Sequence, residues 1–191
     1  MAKIELMIDI GSKNITVYKK DTGIILKEPT IVAVSSEGKK TDFVAAGSEV
    51  RARLSRGDNL QVVYPIKAGV VEHVNGAIYL FRDIFNKISN NRTILKPKIA
   101  VIAAVSCGID NADKLDIENV LLKAGASSVT IVESPIAVSR NVDEDSCFVV
   151  DIGASKTEVA YVRPNGIVIG CSVDVGGDEL NKVIVDHIVD E

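Results

Sequence analysis

The sequence predicts an α/β protein built from two related lobes, and three observations predict it. Between residues 73 and 132 apolar runs and a helix of 3.6-residue period alternate in a βαβ rhythm, which implies parallel strands with helices on a face. The order strand, glycine turn, strand, turn, strand occurs twice. Both copies place Asp-Ile-Gly at the end of an apolar strand, and the second copy follows the first by 142 residues without a gap. A repeat of so long a period indicates duplicated lobes and not a solenoid.

The elements follow in order. Ile4 to Ile10 is apolar and β-branched, Ile15 to Tyr18 follows, and Gly23 to Leu26 begins after the turn at Asp21-Thr22-Gly23. Thr30 to Val34 is a further strand, Ala45 to Leu54 is weakly helical, and Val62-Val63-Tyr64 is a short extended piece closed by Pro65. The clearest helix spans 73–88, where Val74, Ala77, Ile78, Phe81, Phe85 and Ile88 recur at three- and four-residue steps. Ile99 to Val105 is a buried-type strand, Ala112 to Ala124 a helix stopped by Gly125, and Val129 to Val132 another strand. After Asp143-Glu144-Asp145, Phe148 to Ile152, Thr157 to Val162 and Ile167 to Val173 form the second set of strands. Gly176-Gly177 then opens an amphipathic helix bearing Leu180, Val183, Ile184 and Ile188.

Composition narrows the function classes. The 191 residues are 47% hydrophobic and 25% charged, the balance of a globular protein large enough for one full core or two small lobes sharing a cleft. A net charge of −4 supplies no basic field for nucleic acid. Met1 to Glu5 lacks the pattern of a signal peptide, and no apolar run approaches the ~20 residues of a bilayer span. Cys107, Cys147 and Cys171 are odd in number and set in apolar sequence, which predicts buried, reduced thiols and a cytoplasmic protein. His73 and His187 have no ligand-like neighbours, so a zinc site is not expected.

The repeated turn suits phosphate. Glycine after a strand lets the backbone turn sharply and lets amide N–H groups approach an anion. Ser12, Ser155 and Thr157 add hydroxyl donors, and Lys13 and Lys156 add positive charge. Asp9 and Asp151 cannot bind phosphate directly, because like charges repel. They make sense as partners of Mg²⁺ through water, or as groups that orient a nucleophilic water. A single Asp-Ile-Gly is usually an ordinary turn; two with matched flanking strands are a phosphate-binding signal.

These residues resemble a family. Asp9-Ile10-Gly11-Ser12-Lys13-Asn14 is similar to the first phosphate motif of the actin-like ATPases, and Asp151 through Ala160 to the second. Gly23 to Ala33, Arg56 to Leu60 with Pro65 to Val70, Lys123 to Ala126, Val132 to Ala137 and Val175 to Leu180 resemble the MreB family of bacterial filament proteins in particular. The resemblance implies an actin-like fold of two RNase H-like lobes with ATP and Mg²⁺ in the cleft between them. Residues 1–140 are the expected first lobe, with a small insertion at about 33–66, and 141–191 the beginning of a second. The implied nucleotide ligands are Asp9, Gly11, Ser12, Lys13, Asn14, Asp151, Gly153, Ala154, Ser155, Lys156, Thr157, Gly176, Gly177, Asp178 and Glu179, with Asp9 and Asp151 holding Mg²⁺ through water. Filament formation for cell shape, contact with other cell-shape proteins, and a position at the inner face of the membrane are implied as well. The apolar pair Ile94-Leu95 is the membrane-loop candidate, and an ordinary pair of core-covering residues is the alternative.

The chain departs from the family in three places. Ser134 stands where the family carries the acid thought to support hydrolysis, leaving Glu133 and Thr157 as the catalytic candidates. Ala154, Ser155 and Lys156 replace two glycines and a threonine of the second loop. These changes predict impaired hydrolysis, with Lys156 favouring binding over turnover. The chain is also expected to be C-terminally truncated relative to the family, lacking the motif that completes the adenine pocket and leaving a sheet face open. Two other functions fit the same residues: a non-polymerising chaperone-like or adaptor ATPase, and a degenerate structural module without nucleotide.

Overall fold

The computed structural model describes residues 3–35, 42–89 and 97–190. The chain opens with three strands, β1 (Lys3–Ile10), β2 (Asn14–Lys19) and β3 (Gly23–Pro29). Then come β4 (Val32–Ser35), β5 (Asp42–Ala46), α1 (Ser48–Ser55), β6 (Gln61–Val63) and the two-residue strands β7 (Ile66–Lys67) and β8 (Val70–Val71). Helix α2 (Val74–Ser89), β9 (Lys98–Val105), α3 (Asn111–Ala124), β10 (Ser128–Glu133) and the short α4 (Ser134–Ser139) complete this part. The remainder is β11 (Cys147–Ile152), β12 (Thr157–Arg163), β13 (Gly166–Val173) and α5 (Gly177–Asp190).

The largest sheet has the order β10-β9-β1-β2-β3, parallel across β10, β9 and β1 and antiparallel across β2 and β3. Alternation along β1 sends Leu6, Ile8 and Ile10 into the core and Glu5, Met7 and Asp9 to the opposite face. Helices α2 and α3 cover the inner face through Ala77, Leu80, Phe81, Ile84, Ile117, Val120 and Leu121. Each large apolar side chain so buried contributes about 1.5–3 kcal/mol, and this cluster is the main store of stability. The α2 stripe differs from expectation at one end: Val74 is exposed, because His73 caps the helix there by accepting from the Gly76 N–H at 3.0 Å. Helix α3 is capped by the Asp110 carboxylate on the Asp113 N–H, and Gly125 ends it in a left-handed conformation.

The expected helix at 45–54 begins later. Asp42–Ala46 pairs with β4 as an antiparallel strand, and Gly47, at φ 60°, turns the chain into α1. The β7–β8 hairpin was not anticipated. Its two-residue turn puts both Ala68 and Gly69 at positive φ, and alanine there is an unusual occupant that propensity argues against.

The second sheet, β11-β12-β13, repeats the first hairpin in register. Asp9 lies opposite Thr16, and Asp151 opposite Glu158, so the 142-residue offset holds for the ladder partner too. Val149, Ala160, Val162 and Cys107 form a small separate core behind this sheet. Its other face is open, as expected: Phe148, Val150, Ile152 and Ile169 are exposed, as are Leu180, Val183, Ile184 and Ile188 of α5. The cysteines are reduced, but only Cys107 is buried. Cys171 is exposed, because it belongs to this open part of β13 and no element packs over it. Among the described residues no helix is long and apolar enough to cross a membrane. Ile94 and Leu95 lie outside the described residues.

Candidate nucleotide-binding cleft

The two glycine turns close on each other. Ser155 Oγ donates to Ser12 Oγ at 3.0 Å, and Lys13 Nζ lies 2.6 Å from an Asp178 carboxylate oxygen. Between them lies a cleft of about 440 Å³. It is lined by Asp9, Gly11, Ser12, Lys13 and Asn14 from the first turn, and by Asp151, Gly153, Ala154, Ser155 and Lys156 from the second.

Why glycine occupies both turns follows from the return strand. A methyl group at residue 11 would sit 2.7 Å from the Asn14 carbonyl oxygen; at residue 153 it would sit 3.1 Å from that of Lys156. The two carbonyls belong to equivalent positions of the repeat. Gly176 is tighter still, since a Cβ there would meet the Ala154 backbone at 2.5 Å. That close approach lets Gly177 N–H and Asp178 N–H donate to the carbonyls of Gly153 and Ala154, both at 2.9 Å, so α5 starts directly on the second turn.

The electrostatics of the cleft centre on two carboxylates. Asp9 has its carboxyl pushed above the usual range, first by desolvation, then by the negative charge of Asp151, with Lys27 partly offsetting both. Water reaches Asp9 through the cleft mouth, while the concave wall strips away its bulk solvent. The strain on the Asp9 carboxylate is relieved by a cation beside it. Among the described residues no three His, Cys, Asp or Glu side chains converge to hold a metal ion directly. The two aspartates among the lining residues are a donor set of the kind that suits Mg²⁺, which keeps several waters and takes other oxygens from phosphate. Asp9 and Asp151 would hold such an ion through water, and it would neutralise charge on the phosphates beside it.

Several anticipated residues are committed elsewhere. Thr157 Oγ1 donates to the Val175 carbonyl at 2.7 Å. Glu179 accepts from the Gly176 N–H at 2.9 Å and so caps α5, while Asp178 is paired with Lys13. Glu133 is 2.7 Å from Lys114 Nζ; burial raises its carboxyl, but Lys114 and donors from Cys107 and Gly108 bring it below the usual range. Thr157, Gly176, Asp178, Glu179 and Glu133 do not line the cleft, whereas Gly177 does. Ser134 does line it, with its hydroxyl donated to the Val105 carbonyl at 3.0 Å.

Other lining residues were missed: Thr16, Lys27, Gly69, Ser106, Glu158 and Asn181. A signal for one of them was present: Thr16 lies opposite Asp9 across the first glycine turn. In the ladder Thr16 in turn faces Lys27, so the three form one row across β1, β2 and β3. Counting through the second turn would have reached Leu26 instead, because a bulge at Val17/Tyr18 shifts the register by one residue.

Comparison with known proteins agrees with this geometry. The MreB/Mbl protein family model matches residues 3–191. The cell shape-determining protein MreB of Escherichia coli (strain K12) is 29% identical over 192 residues, which cover 96% of this chain and 55% of that protein. The cell shape-determining protein Mbl of Bacillus subtilis (strain 168) is 26% identical over 190 residues, covering 96% and 56%. The chain spans about half the length of the curated relatives it matches. Among solved structures, MreB5 of Spiroplasma citri bound to ADP superposes with a TM-score of 0.81 at 22% identity, over 99% of this chain and 57% of that one. The MamK double helical filament gives 0.76 at 16% identity, over 99% and 59%.

Proposed function

We propose, from the premise that this chain belongs to the MreB/Mbl family and carries the actin-like ATPase fold, that it binds ATP–Mg between its two glycine turns and joins cell-shape filaments. The observation that supports it most is the convergence of two equivalent Asp-Ile-Gly turns on one cleft, with Ser12 and Ser155 in contact across it. In this reading residues 1–140 and 141–191 are the two lobes, the cleft lies between them, and the protein works in the cytoplasm. Contact with the inner face of the membrane through Ile94 and Leu95 is part of the proposal and rests on the sequence alone.

The residues present fit the nucleotide unevenly. Asp9, Asp151, the two turns and Lys13 suit a β,γ-phosphate pair with Mg²⁺. Ala154, Ser155 and Lys156 carry side chains where the family's loop is glycine-rich, and Ser134 offers no carboxylate. Binding with slow hydrolysis follows. MreB5 of Spiroplasma citri, solved with ADP and with AMPPNP, supports nucleotide binding, and MamK, solved as a double helical filament, supports self-association.

Calorimetry with ATP–Mg tests the reading. Micromolar affinity, lost in both Asp9→Ala and Asp151→Ala, supports it; affinity weaker than about millimolar removes it. Pelleting with and without ATP–Mg tests filament formation separately, and a nucleotide-binding chain that stays monomeric at high concentration favours the adaptor-like alternative. The degenerate module finds its support in Ser134, Lys156 and the missing adenine motif, and binding weaker than about millimolar favours it.

A further inference from the structure

The second sheet repeats the faces of the first but not their covering. In β1, Leu6, Ile8 and Ile10 point to one side and are almost fully buried in the core that α2 and α3 complete. The 142-residue offset carries these positions to Phe148, Val150 and Ile152 of β11, which are 73%, 59% and 64% exposed. Strand pairing extends this side in three rows: Phe148, Tyr161, Ile169; Val150, Val159, Cys171; and Ile152, Thr157, Val173. No row holds a charge. Alternation puts the rows on the side opposite Asp151 and Glu158, away from the cleft.

The same chain carries the element that such a face lacks. Along α5, Leu180, Val183, Ile184 and Ile188 recur at three- and four-residue steps and are each more than half exposed. Glu179, Lys182 and Asp186 take the other side of the helix. Gly177 and Asp178 pin its start to the second glycine turn, and every residue from Asp178 to Val189 is exposed, so its apolar side is unused within the chain. The dimensions match. Fourteen residues make a helix of about 21 Å, the length of a six-residue strand, and three strands are about 10 Å across.

We infer that the face of β11-β12-β13 is the docking site for α5 of a second copy of this chain. The contact is reciprocal, so two chains form a closed two-fold pair in which each sheet is covered by the other's helix. A foreign partner on the sheet would leave the α5 stripe bare; the exchange covers both at once. The exposed apolar residues of the face and the stripe together offer roughly 1,000 Å² per copy, against the ~800 Å² that each partner gives to a standard interface. A pair of this kind closes on itself and does not grow, so it is distinct from the filament proposed above and independent of nucleotide.

The test uses the full 191-residue chain without nucleotide. Sedimentation from about 0.1 to 100 μM is expected to show one step, from one chain to two. Ile184→Glu and Val150→Glu, both at positions exposed in the single chain, should each weaken the pair by at least ~10²-fold, since each change enters the contact twice. Ile24→Glu, at an exposed position of β3, should leave it unchanged. Cys171, in the middle row, should react with a maleimide at least ~10-fold more slowly in the pair than in the dilute chain, while buried Cys107 reacts in neither. A chain that is monomeric throughout overturns the inference, whether Cys171 is then open or shielded by another polypeptide. So does a pair that tolerates either glutamate: indifference at residue 184 means that sheet meets sheet, and at residue 150 that helix meets helix. A mass that keeps rising with concentration overturns the closed pair and assigns growth to another surface. Should Val150→Glu melt early, Ile169→Glu on the edge strand of the same face takes its place. None of these outcomes alters the calorimetry with ATP–Mg, so the two readings fail separately.

Discussion

Lys13 and Asp178 form a 2.6 Å ion pair that ties the first glycine turn to the first turn of α5 across the cleft. Both side chains are 51% exposed, so solvent screens the pair and it is worth about 1 kcal/mol or less to the fold. Its weight is in binding, because phosphate and Asp178 compete for one ammonium group. Asp178→Asn is expected to leave the melting temperature nearly unchanged and to strengthen ATP–Mg binding. Lys13→Ala is expected to weaken binding about tenfold. Calorimetry at low and high salt checks both, and the Asp178→Asn gain shrinks as salt rises.

Asp9 predicts a trade between stability and binding. Its carboxyl is raised above the unfolded value, by burial first and the charge of Asp151 second, so the folded state disfavours its ionised form. The folded state is relatively favoured while Asp9 is protonated, and that advantage is lost as pH rises through the raised folded value. Asp9→Asn therefore raises the melting temperature of the nucleotide-free chain at neutral pH. The gain vanishes in acid below about pH 4, where Asp9 is protonated in both states. The same variant loses ATP–Mg binding. A melting series against pH, with and without nucleotide, reads both effects.

The three turn glycines are expected to differ in their tolerance of alanine. At Gly176 the new methyl would meet backbone at 2.5 Å, at Gly11 a carbonyl at 2.7 Å, and at Gly153 one at 3.1 Å. Gly176→Ala and Gly11→Ala should each cost about 1–3 kcal/mol, and Gly153→Ala less, since a shift of a few tenths of an ångström relieves it. Urea unfolding of the three variants gives the order.

Glu28 organises the junction of β3, α1 and α2. It is 6% exposed, accepts from the Ser48 N–H at 2.6 Å and from Lys87 Nζ at 2.9 Å, and so caps α1, whose N-cap Gly47 has no side chain to do it. Burial raises its carboxyl, but the donors of Lys87 and Ser48 outweigh burial and hold it below the usual range. A depressed value contributes stability that is present above the unfolded value of about 4.3 and fades as pH falls through the folded one. Glu28→Ala should cost about 1–3 kcal/mol at neutral pH, because it leaves the Ser48 N–H without its acceptor and Lys87 with Asp83 alone. The difference from wild type narrows in acid, which melting at pH 7 and about pH 3 compares.

What could be read in the sequence was what local chemistry repeats. Asp9-Ile10-Gly11 and Asp151-Ile152-Gly153 stand out because a carboxylate, a turn glycine and a strand are all local, and the structure carries the likeness through to the ladder. Lys27 and Ser106 reach the cleft only through strand pairing and through the packing of the β9 loop, which no short window contains. The commitments of Glu133 to Lys114 and of Thr157 to Val175 were equally invisible, since each partner is 18 or 19 residues away and is fixed by tertiary packing. The β7–β8 hairpin hid for the opposite reason: its turn uses Ala68 where propensity asks for Asn or Gly.

The paired hairpins share one register and differ in the transverse row that borders the cleft. Across one jaw the row runs Asp9, Thr16, Lys27; across the other it runs Asp151, Glu158, Ser172. A symmetrical vice would accept a chain of charged groups either way round. This one is cationic at the outer end of one side and carries two acidic residues on the other, so a linear anion held there would be given one heading.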